Sequence, residues 1–156
     1  MYKALIATIM VALLFATTAA AFGPPTLAVP GITNPWCAGQ NNAVTCHRQD
    51  MHGYSIRITT SVITVGKITI NKVTHRYVTN PVVFTHAQLT GNASVASPNE
   101  KDGFLYAGIF CQQDPSDNGI MCVPNSMVGY GVDISSHHVV VLNVATGQTV
   151  FSKVVP

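Results

Sequence analysis

Two cysteines frame a short polar segment near the end of the chain, FCQQDPSDNGIMC at residues 110–122. Residues of these types could form a disulfide-closed loop, a metal or calcium site, or a pair of reactive thiols. Asp-Pro-Ser-Asp favours a type I turn, and Asn-Gly favours a tight hairpin turn. The acidic and amide side chains do not alternate as the ligands of an EF-hand loop do. We therefore predict a hairpin closed by Cys111 and Cys122, with a metal site as the alternative.

The chain has four cysteines, which are Cys37, Cys46, Cys111 and Cys122. An even number of cysteines in an exported protein predicts disulfides, whereas zinc sites favour more closely spaced pairs. Pairing each cysteine with its neighbour along the chain closes loops of roughly ten residues, and the long-range pairings close loops of roughly 65 to 85. The expected stabilisation, about 3 against about 4.5 kcal/mol, does not select the short loops. The probability of loop closure favours them by roughly tenfold, so we predict Cys37–Cys46 and Cys111–Cys122.

Six histidines are the other candidate metal ligands. Zinc or copper needs three or four such ligands that converge on one point. Neighbouring residues of a strand point to opposite faces, so His137 and His138 cannot readily bind one ion together. Scattered surface histidines are the simpler interpretation, and His47, His52 and His137 are the candidate ligands if a metal binds. We predict no cofactor.

Acidic residues that could catalyse hydrolysis are few. All six fall in predicted turns or loops, where Asp is expected for structural reasons: Asp50, Glu100, Asp102, Asp114, Asp117 and Asp133. A glycosidase needs two carboxylates that face each other across the sugar. The Gly-x-Ser-x-Gly motif of many serine hydrolases is absent from the sequence. We predict no catalytic residue, and a small secreted enzyme or metal-binding protein that uses some of the histidines is the alternative function.

Residues 1–21 have the three parts of a secretory signal peptide. Lys3 supplies a positive charge, ALIATIMVALLF is an apolar run, and ATTAAA is a cleavage zone of small residues. The apolar run is short for a membrane span, and no later segment approaches the roughly 20 apolar residues that a span needs. We therefore predict a secreted protein whose mature chain has no membrane span.

The mature chain, residues 22–156, has the length of one ordinary domain. Without Lys3 it has seven Lys and Arg against six Asp and Glu, which gives a net charge of +1. It has neither a basic stripe nor an acidic tail, so the composition argues against binding of nucleic acid. We expect one folded unit without an internal repeat.

Residues 54–156 contain short segments in which apolar and polar residues alternate. This pattern predicts an all-β domain, a sandwich or barrel of about eight short antiparallel strands stapled by two disulfides. In its first hairpin we expect a turn at Gly66 and a bulge near Asn71 and Lys72. Residues 22–53 contain four prolines and little periodicity, which predicts an extended segment pinned by the first disulfide.

Two further residues are candidate sites. Asn92 begins the sequence Asn-Ala-Ser in a polar loop, which predicts an N-glycosylated residue in a eukaryotic source. Trp36 is the only tryptophan and precedes Cys37. We expect its ring to pack on the neighbouring disulfide, whereas an exposed ring would bind carbohydrate or protein.

As a whole, the chain resembles the candidate effectors secreted by plant-pathogenic fungi, those of rust type above all. The resemblance rests on the signal peptide, the single small β-rich domain, the segment NPWCAGQNNAVTC and the later disulfide loop. It implies a secreted, non-catalytic binding protein that acts on host proteins, as an inhibitor of hydrolases in its narrower form, with later uptake into a host cell as an option. The partners it implies are a host or extracellular protein, and we add an acidic polysaccharide as the alternative.

Overall fold

The computed structural model describes residues 23–71, 75–86 and 103–155. The predicted signal peptide and Asn92 lie outside these residues. Among the described residues, no helix is long and apolar enough to cross a membrane. The described chain forms twelve strands: β1 (Thr26–Ala28), β2 (Pro35–Gln40), β3 (Ala43–Arg48), β4 (Tyr54–Ile58), β5 (Val62–Asn71), β6 (His75–Thr85), β7 (Gly103–Tyr106), β8 (Ile109–Asp114), β9 (Gly119–Pro124), β10 (Tyr130–Ile134), β11 (His138–Asn143) and β12 (Thr149–Val154).

The strands form two antiparallel sheets of six strands each. The first sheet has the order β1 to β6 and the second the order β7 to β12, so each strand pairs with the next one along the chain. Apolar and polar residues alternate along the strands, and this alternation explains which side chains point into the core. In β4, for example, Ile56 and Ile58 are fully buried while Arg57 between them is exposed. The all-β prediction is therefore confirmed, and the chain is divided into two successive halves.

One hydrophobic core joins the two sheets, because their buried side chains belong to a single cluster rich in Ile and Val. Both predicted disulfides, Cys37–Cys46 and Cys111–Cys122, lie in this core, and each joins residues directly opposite each other on neighbouring strands. All four cysteines are fully buried. The Sγ atoms of Cys46 and Cys122 are 3.8 Å apart, so the two disulfides meet at the centre of the molecule.

The two halves repeat one another, so the expectation of a chain without an internal repeat is wrong. Cys122 follows Cys46 by 76 residues. The same interval relates β3, β4 and β5 to β9, β10 and β11 with the same pairing register. Four pairs of identical residues at this interval follow the pattern C-x4-M-x-G-Y: Cys46 and Cys122, Met51 and Met127, Gly53 and Gly129, Tyr54 and Tyr130. Ile58 and Ile134, and Val65 and Val141, are further identical pairs. Met51 and Met127 even share a positive φ, of 58° and 57°.

Contacts between the halves are reciprocal, as in an isologous dimer. Gly53 of the first half lies against Val155, which follows the last strand of the second half. Gly129, the equivalent of Gly53, lies against His86, which follows the last strand of the first half. His86 and Val155 also donate equivalent backbone hydrogen bonds. The N–H of His86 donates to the carbonyl oxygen of Ser61, and the N–H of Val155 donates to the carbonyl oxygen of His137, which is 76 residues after Ser61. The chain therefore has the internal arrangement of a pseudo-twofold dimer.

Three details differ from the sequence-based expectations. The described chain has twelve strands rather than about eight, because residues 26–48, expected to be an extended segment, form β1, β2 and β3. Gly66 is not in a turn but lies buried inside β5. The register shift of that hairpin falls between Val65 and Lys67, at this glycine, and not near Asn71. A glycine within a strand is a common bulge position, and this one was misassigned to a turn.

Candidate functional site

The outer surface of the first sheet presents a row of polar and aromatic side chains. We call it the first face, and its residues are Trp36, Thr45, His47, Ser55, Arg57 and Thr64. Their positions follow from the pairing register, which places Trp36 opposite His47 and His47 opposite Ser55, with Arg57 between Thr45 and Thr64. Because strand residues alternate between faces, these side chains point away from the core.

Trp36 and His47 form an aromatic pair at one end of the first face. Their ring centroids are 4.9 Å apart and the rings are tilted by 38°. Together with Gln49 they line an open cleft. The expectation that Trp36 packs on the disulfide is wrong. Cys37 is fully buried, and Trp36, the preceding residue of the strand, therefore faces outward. The tryptophan ring is half-buried and stands at the surface.

Hydrogen bonding fixes the orientation of the His47 ring. Its Nδ1 atom lies 2.6 Å from the carbonyl oxygen of Arg48, so this nitrogen carries the proton and donates. In the neutral ring, the Nε2 atom is then the acceptor. The neutral ring of His47 can therefore offer a partner a hydrogen-bond acceptor.

A second cleft lies next to this pair and is lined by Thr45, Ser55, Arg57 and Thr64. It combines three hydroxyl groups with one guanidinium group, which is suited to bind carboxylates through two hydrogen bonds at once. The first face therefore combines an aromatic surface, neutral hydroxyl groups and positive charge.

The equivalent face of the second sheet has a different chemistry. At the same interval, Met121 replaces Thr45, Val123 replaces His47 and Val140 replaces Thr64. These side chains are half-buried. An acidic residue, Asp133, replaces Arg57. The two outer faces thus share a backbone but not a surface.

Asp133 belongs to a cluster with Asp117 and His138, which we call the acid–histidine cluster. One ligand atom from each residue lies within 4.8 Å of the others. The Nε2 atom of His138 is 3.2 Å from Oδ2 of Asp117 and 3.6 Å from Oδ2 of Asp133. Asp133 is on β10, His138 begins β11, and Asp117 lies in the turn between β8 and β9, so neighbouring parts of one sheet bring them together.

The electrostatics of this cluster are unfavourable for two ionised carboxylates. Burial raises the pKa of Asp133, the nearby charge of Asp117 raises it further, and His138 opposes both effects. The Oδ1 atoms of Asp117 and Asp133 are both buried and have no hydrogen-bond partner. Buried carboxylates normally find hydrogen bonds, counter-charges or metal ions.

The histidines predicted as metal ligands do not come together. Among the described residues, the other group that could hold an ion consists of Cys37, Cys46 and Cys122, which are engaged in disulfides. His47 is on the first face, and His52 and His137 are exposed at the surface. His86 is buried between the halves, a position that the sequence did not indicate.

Sequence reasoning missed the acid–histidine cluster because it assigned Asp133 to a turn or loop. In the segment SMVGYGVDI, apolar and polar residues alternate, and this alternation is the signal that places Asp133 on the outward face of a strand. The pair of Asp133 and His138 across the tight turn between β10 and β11 was the available signal. Asp117 could not be added to that pair from the sequence, since its contact depends on how the β8–β9 turn folds back.

Comparisons with protein-family models, with curated proteins and with solved structures gave no match to this chain. The function must therefore be argued from its own residues.

Proposed function

We propose that this chain is a secreted, non-catalytic binding protein of the effector type, which recognises the acidic surface of a host or extracellular protein through the first face. The observation that carries the proposal is the asymmetry of two otherwise equivalent faces. One of them presents Trp36, His47 and Arg57, while Phe110, Val123 and Asp133 occupy the corresponding register positions of the other.

The distribution of charge supports an acidic partner. Among the described side chains, the first half carries Arg48, Arg57 and Lys67 against Asp50 alone, and Asp50 is already paired with Arg48. The described part of the second half carries three aspartates against Lys153. Charge of one sign on a binding face accelerates association with a partner of opposite charge. The first face is thus the surface of this chain suited to an acidic partner.

The residue types of the first face also support recognition of a protein. Tryptophan and arginine are the side chains that most often dominate the binding energy of protein interfaces. Trp36 on β2 and Arg57 on β4 flank β3 in a disulfide-stapled sheet, so little backbone freedom is lost when a partner binds. Threonine and serine hydroxyl groups between them can complete hydrogen bonds at the rim.

The test is affinity capture from extracellular host fluid, followed by binding measurements on the captured protein. Trp36→Ala and Arg57→Ala should each weaken binding by at least about tenfold, since hot-spot truncations cost about 2 kcal/mol or more. Met121→Ala and Val140→Ala, at the positions of the other sheet that correspond to Thr45 and Thr64, are the controls and should leave binding unchanged. Affinity should also fall as salt is added.

Three results would count against this function. If the captured protein binds the two control variants as weakly as the first-face variants, the binding surface is elsewhere. If the chain is retained on polygalacturonate through Trp36 and Arg57 but captures no protein, the partner is an acidic polysaccharide instead. Turnover of a captured glycan or peptide would point to the alternative, a small secreted enzyme.

A further inference from the structure

The acid–histidine cluster has the donor set and the spacing of a metal site. In a tetrahedral zinc site with bonds of about 2.0–2.1 Å to nitrogen and oxygen, neighbouring ligand atoms are about 3.3 Å apart. The distances from His138 Nε2 to the Oδ2 atoms of Asp117 and Asp133, 3.2 Å and 3.6 Å, bracket this value. Three side chains would leave the fourth position of the ion to water or to an external ligand.

From this geometry we propose that Asp117, Asp133 and His138 bind one Zn²⁺ ion on the outer side of the second sheet, where β10 ends and β9 and β11 begin. One imidazole nitrogen and two carboxylates suit zinc and its neighbours in the first transition row. Calcium and magnesium prefer sites made of oxygen atoms alone. This site is in the other half of the molecule from the first face, so it does not depend on the proposed binding function.

A neighbouring hydroxyl group orients the ring of His138 as in known metal sites, where the second ring nitrogen is held by an outer partner. The Nδ1 atom of His138 is 3.0 Å from the Oγ atom of Ser135. When Nδ1 carries the proton and donates to Ser135, the lone pair of Nε2 is free to bind the ion. Ser135 is itself held in the turn, because its Oγ atom accepts the backbone N–H groups of His137 and His138.

The two carboxylates of the site approach His138 Nε2 through their Oδ2 atoms. Their buried Oδ1 atoms lack hydrogen-bond partners, although buried carboxylates are normally satisfied. Gly119 provides the space for Asp117, because a Cβ atom there would lie 2.5 Å from Asp117 Oδ1 and 2.9 Å from the carbonyl oxygen of Ile134. A divalent ion would offset the repulsion between two converging negative charges.

The repeat supplies an independent argument that this cluster is not needed for folding. At the interval of 76 residues, Asn41 replaces Asp117, Arg57 replaces Asp133 and Val62 replaces His138. Ala43 replaces Gly119, so the space for the folded-back carboxylate is also specific to the second half. The first half builds the same strands in the same register without any of these donors. The cluster is therefore an addition to the scaffold.

Calorimetric titration of the secreted protein with ZnCl₂ at pH 7.5 tests the proposal. We expect one Zn²⁺ per chain in the wild type. Asp133→Asn and His138→Gln should each weaken binding by at least about tenfold, the smallest loss usual even for an outer-shell partner of a metal. His137→Gln removes the neighbouring exposed histidine and is the matched control, so its affinity should equal that of the wild type. Ca²⁺ and Mg²⁺ should not compete.

Circular dichroism and melting curves of the metal-free variants verify that each one folds. If His138→Gln does not fold because the turn at Ser135 is lost, then Asp133→Asn and Asp117→Asn, which keep the shape of the side chains, decide the question. The proposal is overturned if the wild type takes up no zinc at millimolar concentration. It is equally overturned if the folded asparagine variants bind zinc as well as the wild type, or if His137→Gln loses as much affinity as they do.

Discussion

The two halves of this chain share a scaffold and differ in their surfaces. Strands β3 to β5 and β9 to β11 pair in the same register, and each half has one disulfide between its second and third strands. The inward residues of the two halves are of the same aliphatic type, since Val44 and Ile56 of the first half correspond to Ile120 and Val132 of the second. The outward residues change from hydroxyl and cationic groups to apolar and acidic ones. The comparison teaches that the inward pattern maintains the fold, while each outer face is free to acquire its own chemistry.

The largest expected effect comes from removing the disulfides. Replacing either pair by alanine should lower the free energy of unfolding by about 3 kcal/mol, because the two loops are of similar length, with sequence separations of 9 and 11. Removing both pairs should leave little of the 5–15 kcal/mol or so that is typical of a domain. Denaturation by guanidinium chloride measures each loss. A loss confined to one of the two pairs would contradict the equivalence of the halves.

The next effect concerns the two glycines through which the halves contact each other. Gly53 and Gly129 have φ values of 84° and 120°, and an added Cβ would overlap Val155 or His86. Alanine at either position should cost about 2–3 kcal/mol, which combines backbone strain of about 1–2 kcal/mol with the overlap. Equilibrium unfolding of the two variants gives these values.

Gly147 is the matched control for these two substitutions. It also has a positive φ, 71°, but nothing lies within 4 Å of an added Cβ. Gly147→Ala therefore measures the backbone strain alone, about 1–2 kcal/mol. If Gly53→Ala and Gly129→Ala cost no more than this, the reciprocal contacts between the halves do not contribute to stability.

A smaller effect is the pH dependence of stability, which should arise from His86 in the first half. His86 Nε2 donates to the carbonyl oxygen of Thr59, and its Nδ1 accepts the backbone N–H of Tyr130 in the other half. Burial lowers the pKa of His86, although the hydrogen bond to Thr59 opposes this. The folded state thus favours the neutral ring, while the unfolded chain takes up a proton near pH 6.5. Stability from His86 is present above about pH 6.5 and is lost as the pH falls below that value.

The equivalent position in the second half is Val155, which cannot titrate. Among the described side chains, the titratable group in ring contact with His86 is Tyr130, with ring centroids 6.0 Å apart. His86→Gln keeps a hydrogen-bonding group and removes the titration, so its melting temperature should fall less than that of the wild type between pH 7.5 and pH 5. If the melting temperatures of the two proteins fall equally over this pH range, His86 does not contribute to the loss of stability in acid.

The smallest effects are expected on the outer faces. Arg57→Ala in the first half and Val140→Thr in the second should each change stability by no more than about 0.5 kcal/mol, as is usual for surface positions. Thermal unfolding of both variants checks this. A larger loss for Arg57→Ala would mean that the first face maintains the fold and is not free to vary.

Much of the scaffold could be predicted from the sequence, because strand alternation and local loop closure are short-range signals. The stapled hairpin at Cys111 and Cys122 is confirmed. Strands β1 to β3 were missed because prolines near Trp36 obscured their alternation. The repeat was missed because its identical residues, such as Gly53 and Gly129, are sparse and are defined by turns. The acid–histidine cluster depends on how the turn containing Asp117 folds back, which no local pattern specifies.

The most direct test of the central claim uses the single tryptophan of the chain. The captured acidic partner is added to the ¹⁵N-labelled protein, and the indole N–H signal of Trp36 is followed by NMR together with the backbone signals of both sheets. Binding through the first face predicts that this signal shifts along with those of His47 and Arg57, while Val123 and Asp133 at the equivalent positions stay in place. A partner that shifts Val123 and Asp133 and leaves the indole signal unmoved would contradict the account.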